Sequence, residues 1–417
     1  MLTLHKSRLL IGNITKGIPM NLANGQTYLA IPGPSVIPEA VLRAMHRASP
    51  NIYEGELVDL THTLVPDLRY VAQTNGHVAL YIANGHGAWE AALANMACHG
   101  DRVLVVATGW FAHGWAKMAR AMGIHADIVE CGTQSPIDLD ALETALRAHP
   151  GDYYKAVLVT HVDTSTSVKN EIAPVRKLLD DLGSDALLGV DCVASLGCDE
   201  FKMDAWGVDV MVTACQKGLM VPAGMAFVYF NDTASERQKQ LPYVSSYWDW
   251  DQRVNPEILA HYFCGTAPTH HLYGLRVALD MIRAEGIENI WARHEKLANA
   301  IWAAIDCWGN GGPMRMNIQD RALRSTAVTA LHLGMPHAKN LRTWTQHNAG
   351  LTLGIGLGMS TTADPKGDGF FRFGHMGHVN AQMILGMLST VQAGLIANDI
   401  PHGSGAIDAA ATIIAGA

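Results

Sequence analysis

The sequence predicts an α/β protein: a large domain with a mostly parallel seven-stranded sheet, followed by a smaller α+β domain. Three observations carry this. Short runs that are apolar on both faces alternate with helical patterns through the first two thirds of the chain. The last of these runs follows its predecessor so closely that it has to turn back as an antiparallel neighbour. Beyond about residue 288 the pattern changes to three helices and two scattered strands. The 417 residues exceed one typical core, which agrees with two domains. The expected division is 1–27 as an N-terminal arm, 28–287 as the large domain and 288–417 as the small domain.

The elements follow in order. The turn Pro32-Gly33-Pro34-Ser35 leads into a helical pattern over Pro38–His46. Val78–Ala83 reads as a strand and Ala88–Met96 as a helix. Val103–Ala107 is a strand and His113–Met122 a helix. Ala126–Val129, Ala156–Thr160, Ala186–Val190 and Val208–Thr213 are further short apolar strands. Strands apolar on both faces belong to sheets covered by helices on both sides. Met225–Phe230 is the expected antiparallel neighbour. A helix over His271–Ala284 links to the second region. That region has helices over Ile290–Trp308, Lys339–Ala349 and Asn380–Ala397, and strands over Ala327–Leu331 and Phe371–Phe373. The glycine-rich stretch Gly350–Gly369 is expected to be a loop.

Composition narrows the function. Hydrophobic residues make up 49% and charged residues 16%, as in an ordinary soluble globular protein. A net charge of −8 is wrong for nucleic-acid binding, which needs a basic face. Cys98, Cys131, Cys192, Cys198, Cys215, Cys264 and Cys307 form no CxxC pair, so no zinc site and no metal is expected. Their odd number and scattered spacing suit reduced thiols in a cytoplasmic protein. No apolar run reaches the length of a membrane span, and the first residues lack a signal peptide's apolar centre.

In sheets of this kind ligands bind at the carboxyl ends of the strands. Lys217 follows the apolar strand Val208–Thr213. A lysine there is either a solvated strand cap or a desolvated amine of lowered pKa, as Schiff-base chemistry requires. Asp191 ends another apolar strand. It is either an N-cap or a carboxylate placed against a pyridinium nitrogen. Asn84-Gly85-His86-Gly87 lies between strand and helix, where free N–H groups can meet a phosphate. Thr164 lies in a hydroxyl-rich loop, and Trp110 and Phe111 follow Val103–Ala107. Arg372 stands alone in an apolar strand and needs an anion, either a substrate carboxylate or a structural partner.

Val190-Asp191-Cys192-Val193-Ala194-Ser195-Leu196-Gly197, Trp206-Gly207-Val208-Asp209, Gln216-Lys217-Gly218, Pro222-Ala223-Gly224 and Arg372-Phe373-Gly374-His375-Met376-Gly377 form one ordered series. With it the chain resembles the class V aminotransferases of the fold-type I pyridoxal-phosphate (PLP) enzymes, above all the serine– and alanine–glyoxylate aminotransferases. The resemblance spans residues 28 to 395. It implies PLP, with Lys217 as Schiff-base lysine and proton shuttle and Asp191 against the pyridine nitrogen. Val193 and Phe111 would pack on the ring. Gly85, His86 and Gln216 would hold the phosphate, and Thr164 would bond the ring oxygen. Arg372 would take the substrate carboxylate. Thr266 would reach the phosphate of the other subunit, which implies a homodimer with shared active sites. The substrates implied are a small amino acid and a small 2-oxo acid, with glyoxylate as acceptor and pyruvate as its rival. Pyridoxamine–pyruvate aminotransferase is the alternative within the family. A PLP lyase such as a cysteine desulfurase would need a cysteine on a mobile loop, and beyond Thr266 only Cys307 is present. Three departures bear on the substrate: Phe263 in place of a tyrosine, Asn51-Ile52-Tyr53-Glu54 in place of a basic pattern, and Gly265 in place of an aromatic.

Overall fold

The structure, a computed structural model, describes residues 21–416. Most of the expected N-terminal arm therefore lies outside the described residues. The strands are β1 (Tyr28–Ala30), β2 (His77–Tyr81), β3 (Arg102–Ala107), β4 (His125–Glu130), β5 (Ala156–Thr160), β6 (Leu187–Asp191), β7 (Val210–Ala214), β8 (Ala226–Phe230), β9 (Arg315–Met316), β10 (Val328–His332), β11 (Leu351–Ile355) and β12 (Phe370–Gly374).

Seven strands form the large sheet in the order β2-β8-β7-β6-β5-β3-β4. β8 is antiparallel to both of its neighbours, as expected for Met225–Phe230, and all other pairings are parallel. Every residue of β5, β6, β7 and β8 is buried. Alternate side chains feed two separate cores. Leu104, Val106, Val157, Val159, Leu188 and Val190 join one, and Val103, Val105, Leu158, Leu187 and Val212 the other. A charge anywhere inside these strands would have to be buried, so the chemistry is confined to their ends.

The smaller sheet has the order β1-β11-β12-β10-β9. Its edge strand β1 comes from the opposite end of the chain and pairs in parallel with β11. The expected loop Gly350–Gly369 is only partly a loop, because its first residues form β11. Leu351 and Leu353 are buried and alternate with less buried neighbours. The glycines around them dilute that alternation in the sequence. Five helices start earlier than expected, at Gly85, Trp110, Thr269, Ile287 and His337. Their first turns hold glycines, polar residues or aromatics that break the apolar period. The helices Glu56–Ala72, Leu139–Arg147, Ala173–Asp181, Asp232–Lys239 and Ala406–Ala415 have no counterpart in the sequence reading. The first carries Pro66 in its interior, and the last is nearly all small or apolar, without a polar face to mark its period.

Candidate active site

β2, β3, β5, β6 and β7 end at one edge of the large sheet, and the loops that leave them surround a cavity of about 250 Å³. Its walls include the predicted Gly85, His86, Phe111, Thr164, Asp191, Val193, Gln216 and Lys217. Thr266 is exposed and does not line it. Arg372 lies alongside it, in the middle of β12. A larger depression of about 800 Å³ is lined by Asp101, Lys155, Asp185 and Asp232. Those residues sit at the opposite edge of the sheet, where β3, β5 and β6 begin and the antiparallel β8 ends, and none of the site residues is among them.

Lys217 comes three residues after β7 and is partly buried at the cavity wall. Its Nζ donates to the Pro32 carbonyl. The Pro32–Ser35 turn closes over it, since Ser35 Oγ donates to the Lys217 carbonyl at 2.7 Å and Ser35 N to the Gln216 carbonyl at 2.9 Å. Gly33 makes that approach possible. Its φ is +93°, and a Cβ there would lie 2.5 Å from Lys217 Nζ. Burial pulls the Lys217 amine down to about 8, helped by the Arg372 charge and opposed by Asp191.

Asp191 is the last residue of β6, level with Thr160 of β5 and Val212 of β7. Oδ1 accepts from Val193 N at 2.7 Å and Oδ2 from Trp89 Nε1 at 3.0 Å. Burial pushes the carboxyl up to about 7, against the pull of these two donors and of Lys217. Near neutral pH the lysine amine and this carboxyl are both poised to gain or lose a proton, a combination typical of working sites.

The helix Gly85–Met96 begins at the cavity wall, so its first-turn N–H groups face the anion-binding position expected from sequence. Asn84 caps it: Oδ1 accepts from His86 N at 3.1 Å and Gly87 N at 3.2 Å. The His86 ring packs on Trp89 with centroids 4.6 Å apart, and burial lowers its pKa. Gln216 Oε1 is buried at the wall without a hydrogen-bond partner.

Phe111, not Trp110, lines the cavity, and Trp110 is 53% exposed. The start of this helix is held by Asp163, whose carboxylate accepts from Phe111 N at 2.8 Å and from Ser165 N at 2.9 Å. The Arg372 guanidinium donates from Nε to Ile355 O and from Nη1 to Thr164 O, both at 2.7 Å. It makes no salt bridge among the described residues, so the structural ion pair left open by the sequence is not what holds it. Burial lowers it to about 10, which leaves it charged at neutral pH. Cys307 lies within the helix Ile287–Gly309, not on a loop. Sequence reasoning missed Trp89 and Asp163 as parts of the site. Their partners are 102 and 52 residues away, and no local pattern announces them.

An amine and a buried carboxyl facing the same cavity, with a helix start at its wall, suit the PLP group that the sequence resemblance implied. The comparisons with known proteins agree with the geometry. The family described as Aminotransferase class-V matches residues 27–359. A serine–glyoxylate aminotransferase of Arabidopsis thaliana is 35% identical over 383 residues, covering 91% of this chain and 92% of that protein. The crystal structure of a ureidoglycine–glyoxylate aminotransferase from Bacillus subtilis superposes with a TM-score of 0.83 at 24% identity, covering 93% of this chain and 98% of that one. A pyridoxamine–pyruvate aminotransferase from Mesorhizobium loti has the same fold, with a TM-score of 0.82 at 23% identity over 94% of this chain and 98% of that one.

Proposed function

The chain belongs to the class V aminotransferases, and we propose that it moves an amino group from a small amino acid to a small 2-oxo acid, glyoxylate foremost, using PLP held by Lys217. The observation that carries this reading is the pairing of Lys217 and Asp191 at the ends of neighbouring strands, facing one cavity. When bound, PLP supplies the electron sink that lets an amino acid lose its α-proton. The residues of this chain do the rest. Lys217 holds the cofactor covalently through Nζ and, once released, takes and returns the α-proton there. A pKa near 8 keeps a useful fraction of Nζ neutral at physiological pH. Asp191 would face the ring nitrogen, Thr164 the ring oxygen, and Phe111 and Val193 would pack on the ring. Gly85, His86 and Gln216 would take the phosphate. Arg372 grips the substrate carboxylate in a setting from which water is largely excluded. Thr266 serves the partner's site in a homodimer.

The acceptor follows from charge. Among the described residues Lys217 is the only lysine or arginine lining the cavity, Arg372 stands beside it, and no second arginine lines the wall to hold a distal carboxylate. A monocarboxylic oxo acid fits better than 2-oxoglutarate, and the glyoxylate enzymes among the relatives favour glyoxylate over pyruvate. One observation favours pyridoxamine–pyruvate transamination as a second reading. Asn84 already caps two of the N–H groups a phosphate would use.

Borohydride reduction of the purified protein tests the main reading. The cofactor mass should be fixed on the Lys217 peptide and be absent from Lys217→Ala. Amino-loaded enzyme should then regain its visible absorbance with glyoxylate or pyruvate. Recovery with 2-oxoglutarate alone would overturn the acceptor assignment. A protein that carries no PLP and turns over free pyridoxamine would establish the second reading.

A further inference from the structure

We propose that Trp89 is a positioning residue for Asp191: its indole N–H holds the carboxylate ionised and aimed at the cofactor's ring nitrogen. The inference rests on the reading of Asp191 given above. Trp89 is 2% exposed, and its Nε1 donates to Asp191 Oδ2 at 3.0 Å, the one side-chain hydrogen bond this carboxylate receives among the described residues. An indole nitrogen can only donate, so it bonds an unprotonated oxygen and opposes a proton settling on that oxygen. Asp191 needs such help. Its burial favours the neutral acid, and a neutral acid cannot keep a pyridine nitrogen protonated.

The indole is itself held in place by aromatic neighbours. His86 packs on it at 4.6 Å, Phe111 meets it edge-on at 6.2 Å and Trp115 stacks at 6.0 Å with planes 15° apart. Gly114 leaves room for it, since a Cβ there would approach the six-membered ring to 3.1 Å. The helix accepts a poor helix former at that position so that the indole can lie where it does. Trp89 thus joins three elements of the site: the helix start at His86, the ring-packing Phe111 and the carboxylate that faces the ring nitrogen.

The test uses holoenzyme loaded with PLP carrying nitrogen-15 in the ring. Trp89→Phe keeps a ring in the core and removes the donor. Its ring-nitrogen resonance should move towards the unprotonated value, with kcat lower by about tenfold and KM for the amino acid unchanged. Trp89→His returns a ring N–H that titrates. Its resonance should gain a pH dependence absent from wild type, and this arm decides the matter if Trp89→Phe does not fold. A resonance and kcat equal to wild type in Trp89→Phe, or a flat response in Trp89→His, would show a packing residue and overturn the proposal. Asp191→Asn is the parallel control. If it too leaves the resonance unmoved, the reading of Asp191 fails, and the role of Trp89 falls with it.

Discussion

At Arg372 the guanidinium is nearly buried, donates to two backbone carbonyls and, among the described residues, forms no salt bridge with a carboxylate. Carbonyls orient a guanidinium without neutralising it, so its charge remains available to a substrate carboxylate. Arg372→Ala should raise KM for amino and oxo acids by the equivalent of about 2–5 kcal/mol. An amine without a carboxylate should lose far less, and steady-state kinetics with matched pairs of substrates will read the difference. Lys217 makes a pH prediction. Cofactor capture by apoenzyme needs a neutral Nζ. The capture rate should therefore climb with pH and level off above about 8, following the lowered lysine. An unperturbed lysine would let the rate climb towards about 10.4. Stopped-flow mixing of apoenzyme with PLP across this range distinguishes the two.

Among the elements, the loop after β5 ties the others together. Asp163 holds the first turn of the helix Trp110–Ala121, and the next residue, Thr164, lines the cavity and accepts from Arg372. The carboxylate is fully buried and satisfied by N–H and O–H donors rather than by a cation in contact. Asp163→Ala should cost about 1–2 kcal/mol through the lost cap alone. It should also weaken PLP retention, because Phe111 and Thr164 lose their shared anchor. Urea midpoints and cofactor off-rates measured on one preparation will test both effects. A variant as stable as wild type would mean that the helix start is held by other contacts.

For the molecule as a whole, acid stability is governed by buried histidines. Burial pulls His161 and His294 down to about 3 and His375 to about 4. Unfolded, each would titrate near about 6.5. Between these values the unfolded chain binds protons that the folded one does not. These histidines therefore lower stability as pH drops from about 6.5 towards 4. The raised carboxyls of Asp163, Asp191 and Asp199 work in the opposite direction and blunt the slope. His294→Leu should flatten the acid limb of a urea-midpoint profile, and an unchanged slope would remove His294 from this account. Assembly is a second question at this scale. Thr266 is exposed and does not line the Lys217 cavity of its own chain. In the proposed homodimer, Thr266→Asp should nevertheless lower PLP affinity, because the added charge would face the partner's phosphate. Equilibrium dialysis against PLP, with sedimentation to confirm the dimer, checks this, and unchanged affinity in a dimeric variant would argue against a shared site.

The sequence by itself determined the parallel sheet with its one reversed strand, and it placed Lys217 and Asp191 at the strand ends. Those features are written locally, in apolar runs and in the residue that interrupts each run. It also identified Arg372 as a buried cation, because a single charge inside an apolar strand is conspicuous in any context. Only the tertiary structure decided the rest. β11 forms because Leu351 and Leu353 find a core and β12 offers its edge. β1 reaches the small sheet from the other end of the chain by pairing with β11. The start of the helix that carries Phe111 is held by Asp163, 52 residues further along the chain. Trp89 meets Asp191 across 102 residues of chain. Each of these depends on which distant groups are brought together, and a buried donor or acceptor takes its meaning from the partner that satisfies it.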